Sequence, residues 1–492
     1  MRFEFHYHLR RPEIYLYGLI FFLISFISFI GSAGYFDGAK TGIAEGQKSL
    51  INSAFQIHLF FLNLNQLFLF LAPALLGAAA YKDFRFRFHH LLFAYPLSKQ
   101  PYFWGKFIPA LSLILLISLA AVLGLMLGEC MPGLDASLLG EIRYSAYLYS
   151  YFLFCLPNCL MSGMLVYGLV LWTRNRYAGF AGIIGIFLFR FVLQKINYQN
   201  AYFLALFDPL GEYTSQYLLQ DWSREAQNTQ PLPWARLLIY NRLIWLGLVS
   251  VFSIISYKAF ALSQSSPEFF KIKKVRKNIS PSLRPNIFIL FPSHISLPPF
   301  HFWRSLWHLS WGQMGYILKG KGFLVFCCLG VLCVYLSLRQ VTQRAEFSLL
   351  PLTHLILSIP SFFYGSFMLA FCFIYAGILG HRERQCRFYP FLDTSPLPDW
   401  VLMGGKLLAL LKVQMLMLVI LMVTGIGLQI QAGYFHFEMG LYLFHLFVPF
   451  FSYLLLWTVL ALAVHTFIPH FYLGTLLLFL AWMGLGVLSD LG

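Results

Sequence analysis

Residues 107–127 read FIPALSLILLISLAAVLGLML, a run of 21 residues without a charge. At about 1.5 Å per helical residue, this run crosses the ~30 Å hydrocarbon core of a bilayer. Lipid offers no partner to an open backbone, so a helix, which closes its own hydrogen bonds, is the expected conformation. Working outward, five similar runs accompany it in the first part of the chain: roughly Ile14–Ser32, Ala54–Tyr81, Tyr147–Trp172, Tyr177–Gln194 and Ala235–Tyr257. Five more follow at Gly322–Leu338, Thr353–Gly380, Leu407–Gln429, Leu441–Val464 and Phe471–Leu488. The first run is too long for a signal-peptide core and lacks a small-residue cleavage site, so it reads as a retained helix. The alternation of a barrel strand is absent. The sequence predicts an all-α, polytopic transmembrane helical protein with eleven spans.

Composition agrees. Of 492 residues, 59% are hydrophobic and 11% charged, with a mean hydropathy of +0.69. A soluble domain carries roughly 25% charged residues, so too little polar surface remains here to cover a water-soluble particle. The formal charge is +16. The basic residues sit between apolar spans, which is positive-inside topology rather than a nucleic-acid surface. With the N-terminus in the cytoplasm, the inner connections collect most of the Lys and Arg, including Arg10, Arg11, Lys82, Arg85, Arg174, Arg176, Lys273, Lys274, Arg382 and Arg384. Of the eight cysteines, all but Cys130 and Cys386 lie in apolar spans, where a free thiol behaves as a small hydrophobe. No Cys/His spacing resembles a metal site.

Residues 259–305 break the pattern. They are basic and rich in Ser and Pro, and proline withholds the N–H that a helix needs, so an irregular cytoplasmic linker is expected. It separates a region 1–258 from a region 306–492, and the two are related. Lys82-Asp83, Arg87, Pro96-Leu97 and Gly105-Lys106 between spans two and three match Arg382-Glu383, Arg387, Pro396-Leu397 and Gly405-Lys406, all 300 positions on. A weaker echo at 295 positions joins Tyr147-Leu148 to Tyr442-Leu443, and Tyr177 and Gly179 to Tyr472 and Gly474. Each half opens with aromatic residues beside Lys and Arg (Phe3, Phe5 and Tyr7 before span one; Trp307, Trp311 and Tyr316 before span seven), the composition of an interfacial helix or of ordinary flanking anchors. The halves carry six and five spans. An inside start then leaves Gly492 outside, which predicts that the second repeat lacks its last span and that the chain is the N-terminal part of a longer polypeptide; the alternative is a natural eleven-span protein.

The segments FHYHLRRPEIYLYGLIFFLISF (5–26), YKDFRFRFHHLLFAYPLSKQPYFWGKF (81–107), AYLYSYFLFCLPNCLMSGML (146–165), LFDPLGEY (206–213) and LIYNRLIWLG (238–247), in this order, resemble the ABC-2 type permeases of bacterial ATP-binding-cassette transporters. They look most like the large two-repeat permeases, some of which are fused to a C-terminal zinc aminopeptidase-like domain. The resemblance covers the first 260 residues well and the second half mainly through the repeat. It implies a permease subunit of the bacterial inner membrane, favours export, and requires a separate cytoplasmic ABC ATPase as partner. ATP and Mg2+ would belong to that partner, because no Gly-x-x-x-x-Gly-Lys-Ser/Thr loop occurs in this chain. No His-Glu-x-x-His motif occurs either, so no peptidase activity is assigned.

The resemblance also makes the loops after spans two and eight the coupling elements that seat in the ATPase. Asp83 and Glu383 lie four residues before Arg87 and Arg387, on one helical face, where they pair with each other or with the partner. Pro96 and Pro396 end the loop helix. Gly105-Lys106 and Gly405-Lys406 restart the chain at the membrane, with each lysine anchoring at the headgroups. Candidates for a substrate path are the polar residues inside spans: Asn63, Asn65, Gln66, Asn158 and Ser162. Helix–helix hydrogen bonds are the plainer explanation of them. Arg190 is expected to snorkel at the outer end of span five, Asp208-Pro209-Leu210-Gly211 to form an outer turn, and Asn241 and Arg242 to cap or anchor span six. Other readings are a structural or regulatory membrane subunit without transport, a membrane-embedded enzyme, and an ion-coupled transporter. Convergent catalytic groups are missing for the enzyme, and buried carboxylates for the ion-coupled transporter. The substrate is not legible: an apolar, aromatic-rich interior suits a lipid, a peptide or a lipidated protein.

Overall fold

The computed structural model describes residues 2–35, 50–86, 88–95, 98–175, 177–196, 200–260, 299–344, 352–385, 392, 397–431, 433–468 and 470–491. Among these residues there is helix and no strand. The chain forms two compact units, one of 1–264 with 476–492 and one of 265–475.

In the first unit α1 (Arg2–Leu9) precedes α2 (Pro12–Ser32), which begins on the proline, where the missing N–H is harmless. α3 (Ala54–Arg85) starts at Ser53, whose side chain accepts the Gln56 N–H at 3.3 Å. α4 (Lys99–Glu129) and α5 (Tyr144–Thr173) follow, and α5 stops at Arg174 in the left-handed region (φ 50°). α6 (Tyr177–Ile196), the short α7 (Ala201–Phe207) and α8 (Glu212–Leu219), and α9 (Arg236–Ala259) come next. The second unit holds α10 (Pro299–Leu318), α11 (Lys321–Arg344), α12 (Thr353–Gln385), α13 (Asp399–Gln431) and α14 (Met439–Phe467). α15 (Phe471–Leu491) closes the described chain.

Nine of these helices are long and apolar enough to cross a bilayer, which makes this a multi-pass membrane protein. The sequence predicted eleven over the whole chain, and the nine are those among the described residues. The difference has two sources. Where span seven was expected, α10 and α11 form one apolar pair bent by 70°, a tenth crossing if it acts as one span. Phe471–Trp482, within the expected last span, falls in the shorter apolar class. Of the expected linker, 261–298 lie outside the described residues, and its last part, 299–305, is not irregular but the start of α10.

Three helices carry one π turn each: Pro73–Gly77 in α3, Tyr151–Cys155 in α5 and Leu446–Phe450 in α14. The last two stand 295 positions apart, the interval of the weaker sequence echo. In the first unit α2 lies against α4 through Gly124 and Gly128. A Cβ on Gly124 would sit 2.4 Å from the Phe22 carbonyl oxygen, and one on Gly128 3.1 Å from the Phe29 Cβ. Small residues four apart let two backbones approach, which in lipid replaces the hydrophobic drive to associate.

Gly124→Ala forces α2 off α4, because the obstacle is backbone. It should lower stability by about 1–3 kcal/mol, the usual cost of overpacking. Gly247→Ala, with nothing within 4 Å of the new methyl, should be neutral or slightly stabilising. Thermal unfolding in mild detergent compares the two; equal melting temperatures would refute the contact.

Candidate functional sites at the two ends of the helices

α3 ends in Lys82-Asp83, and both side chains are used inside the chain. Asp83 and Lys106, in the second turn of α4, are buried, with the Lys106 ammonium donating to Asp83 Oδ2. The Tyr102 hydroxyl donates to the same oxygen at 2.9 Å, and His89 Nδ1 lies 3.3 Å from the Asp83 carbonyl oxygen. Lys82 turns to α1: its Nζ is 3.3 Å from Glu4 Oε2 and 3.5 Å above the Tyr7 ring. Glu4 also faces His8 at 3.9 Å, but burial holds the His8 imidazole down, to about 4, against the pull of Glu4. His8 is therefore neutral at pH 7, and Lys82 is the cation that answers Glu4.

The second unit repeats this arrangement. Lys406 Nζ donates to Glu383 Oε2 at 2.8 Å, and the acid and lysine are 23 residues apart in both pairs. Arg382, preceding the acid, lies 3.9 Å over the Tyr316 ring of α10 and donates to Gln313 Oε1 at 3.4 Å. Each pair thus fastens the end of one span to the start of the next and closes the base of the loop between them.

This corrects one expectation and adds a partner to another. Lys106 and Lys406 do not anchor at headgroups; they are buried and neutralise the acids. Asp83 and Glu383 have these lysines as partners, and a cation at hydrogen-bond distance offsets the cost of a carboxylate at the end of a packed helix. Arg87, Pro96, Arg387 and Pro396 lie outside the described residues. Gly105 faces open space, whereas a Cβ on Gly405 would meet Leu309 of α10 at 3.2 Å.

His58, in the second turn of α3 and about 37 Å from Asp83 along the helix, belongs to a second polar cluster. Arg190 was expected to snorkel. Instead it is buried, with Nε 2.9 Å from Asp208 Oδ1 and Nη2 2.7 Å from Glu212 Oε2. Gln66 donates to the same Glu212 oxygen at 3.0 Å. The residue 208–211 turn is received by α9. Asn241 donates to the carbonyls of Ala205, Leu206 and Asp208, and Arg242 to Asn158 Oδ1 (3.1 Å) and the Leu210 carbonyl (3.0 Å). Asn158 donates to the Leu210 carbonyl as well, at 3.0 Å. Gly211 has φ +77°, and a Cβ there would lie 1.8 Å from Arg242 Nη2, so only glycine fits. His58 sits between Ser150 (3.0 Å) and Ser215 (2.9 Å). The cavity among Asn158, Pro209, Arg242 and Trp245 measures about 10 Å³, the room of one water. The cluster braces a turn and encloses no chamber.

A related bracing recurs nearby. Glu129 at the end of α4 accepts from Asn52 (2.8 Å) and the Tyr147 hydroxyl (3.1 Å). In the second unit Gln429, at the end of α13, accepts from the Tyr442 hydroxyl (3.1 Å) and donates to Thr353 (3.2 Å).

The five substrate-path candidates do not converge. Gln66 and Asn158 serve the turn. Ser162 donates to the Cys159 carbonyl of its own helix at 3.3 Å. Asn63 is exposed. Asn65 is buried at 1% exposure, and among the described residues neither amide atom has a partner. Comparison of the chain with family models, with curated proteins and with solved structures gives no match.

Removing one member of the Asp83–Lys106 pair strands the other charge. Lys106→Met should cost about 3–5 kcal/mol, and Asp83→Asn with Lys106→Met together much less than their sum. A double-mutant cycle of melting temperatures in detergent checks this; strict additivity would mean the pair does not form.

Proposed function

We propose that the chain is the transmembrane permease subunit of a bacterial ATP-binding-cassette transporter of ABC-2 type, built from two related halves and working as an exporter. A separate cytoplasmic ATPase hydrolyses ATP with Mg2+ and drives it. The observation that carries the reading is the acid–lysine staple, which closes the loop after α3 and the loop after α12 with the same 23-residue span. Support comes from the cation over a tyrosine beside each staple, the π turns 295 positions apart, and the Tyr147–Glu129 and Tyr442–Gln429 contacts.

Physically, a loop stapled at its base transmits force. A push on its tip moves the ends of two spans together instead of being absorbed by loop bending. Asp83 and Glu383 therefore act as positioning residues, and the surface for the ATPase is the loop they hold, with Arg87 and Arg387 in it. The basic connections set the N-terminus and these loops in the cytoplasm of the inner membrane. Asn65 supports a path through the first unit, since an unpaired buried amide costs about 1–3 kcal/mol and persists where it serves a passing ligand.

Purification of the full chain with its native partners should recover an ATP-binding-cassette ATPase. Arg87→Glu with Arg387→Glu should release it while the melting temperature of the chain is unchanged. Recovery of a stable complex without any such ATPase would favour a structural or regulatory subunit instead. Asn65→Leu separates path from packing: it should raise the melting temperature yet reduce ATP-dependent transport in vesicles. Undiminished transport would remove Asn65 from the path.

A further inference from the structure

The two units treat one cation differently. Lys82 lies over Tyr7 and meets the carboxylate of Glu4. Arg382 lies over Tyr316 and meets the amide of Gln313. Tyr7 and Glu4 stand three residues apart in α1, as Tyr316 and Gln313 do in α10. The geometry is shared, and the acid has been exchanged for a neutral group. Among the described residues Arg382 has no carboxylate partner, and the neighbouring acid, Glu383, is taken by Lys406.

This guanidinium, without an acid partner among the described residues, opens into a cavity of about 820 Å³ within the second unit. Arg304, His301, His308, Ser305 and Gln313 also line it, and among the described residues no Asp or Glu does. Arg304 is exposed and, among the described residues, likewise has no acid partner. Two guanidiniums, two imidazoles and a hydroxyl around one space make a receptor for a compact, multivalent oxyanion, and arginine's planar fork suits a phosphate.

The opposite side of α10 indicates where that phosphate comes from. Trp303, Trp307 and Trp311 repeat every four residues and are 65%, 53% and 51% exposed. Lys412 stands 3.6 Å over the Trp307 ring. A tryptophan row beside cations is the composition of the headgroup layer, where the indole is half in lipid and half in water. The cavity therefore opens among lipid headgroups.

We propose that this cavity binds the phosphate of an anionic phospholipid headgroup, which supplies to Arg382 and Arg304 the negative charge that Glu4 supplies to Lys82. The site rests on the membrane character of the chain and is independent of the permease reading. The lipid fixes α10 to the end of α12, as the Glu4–Lys82 pair fixes α1 to the end of α3.

The full chain, purified in mild detergent, is mixed with phosphatidylglycerol or phosphatidylcholine, and retained lipid is counted by native mass spectrometry. Phosphatidylglycerol should be retained in preference. Arg304→Gln should weaken retention by roughly fivefold, the worth of one interfacial cation. Gln313→Glu, which gives Arg382 the acid found in the first unit, should weaken it comparably without lowering the melting temperature. Equal retention of the two lipids, or retention unchanged in both variants, overturns the proposal. Displacement of phosphatidylglycerol by millimolar inorganic phosphate makes free phosphate the ligand and overturns the lipid source. If Gln313→Glu releases a co-purified protein and leaves lipid retention intact, the cavity is a protein contact and the proposal falls.

Discussion

A carboxylate taken out of water must find a donor or a cation, and among the described residues three acid–cation pairings fix the ends of helices or the turns between them. Asp83 holds Lys106, Glu383 holds Lys406, and Asp208 with Glu212 holds Arg190. Each pair joins segments distant in sequence, and each carries a large penalty against separation, since either charge alone would be stranded in a poorly solvated place. The helices between them are apolar and associate without a hydrophobic drive once in lipid. Their ends, where charge and backbone turn meet the interface, set which helix begins beside which.

Between the ends, small residues do the work that charge cannot. Gly124 and Gly128 bring α2 onto α4, and Gly163 admits Leu76 of α3 beside α5. Polar contacts at mid-span are few. In the second unit Gln414, Thr458 and Cys372 form one, with Gln414 donating to Thr458 at 2.8 Å. In the first unit the Ser118 and Tyr151 hydroxyls lie 3.1 Å apart, and Asn65 has no partner among the described residues. Rigid stapled ends and a sparse, weakly polar middle fit a molecule in which helices move as bodies about fixed loops.

Much of this was legible in the residues. Apolar runs of about 20 locate the helices, because lipid leaves only one secondary structure available. The repeat marks Asp83, Lys106, Glu383 and Lys406 together. What the repeat could not tell was which of these residues bond to each other. Local helical spacing offered Arg87, which lies outside the described residues, as the neighbour of Asp83; it gave no sign of Lys106, 23 residues away across a loop, a contact that exists only once two spans are packed. Arg190 was misjudged for the same reason: its acids belong to a turn after its own helix, and burial there outweighs the reach of a snorkelling side chain. Among the described residues nine or ten of the eleven expected spans are long and apolar enough, and the 70° bend between α10 and α11 falls where an interfacial helix was expected to meet span seven. His58 gave no signal, being a lone histidine in an apolar run.

The π turn of α5 sets a phase. Tyr151–Cys155 contains one residue more than an α-helical path needs, so everything after it, Leu156–Thr173, is turned by about 100° relative to a continuous helix. Because of that turn Gly163 faces Leu76, and Gly168 faces Phe252 and Ser256 of α9. Loss of any single residue from the π turn would leave the composition and hydropathy of the span almost untouched and rotate both glycines away from the neighbours they admit. In this helix, length counted to the residue carries information that hydropathy does not: it is a dial for which side of the span looks inward.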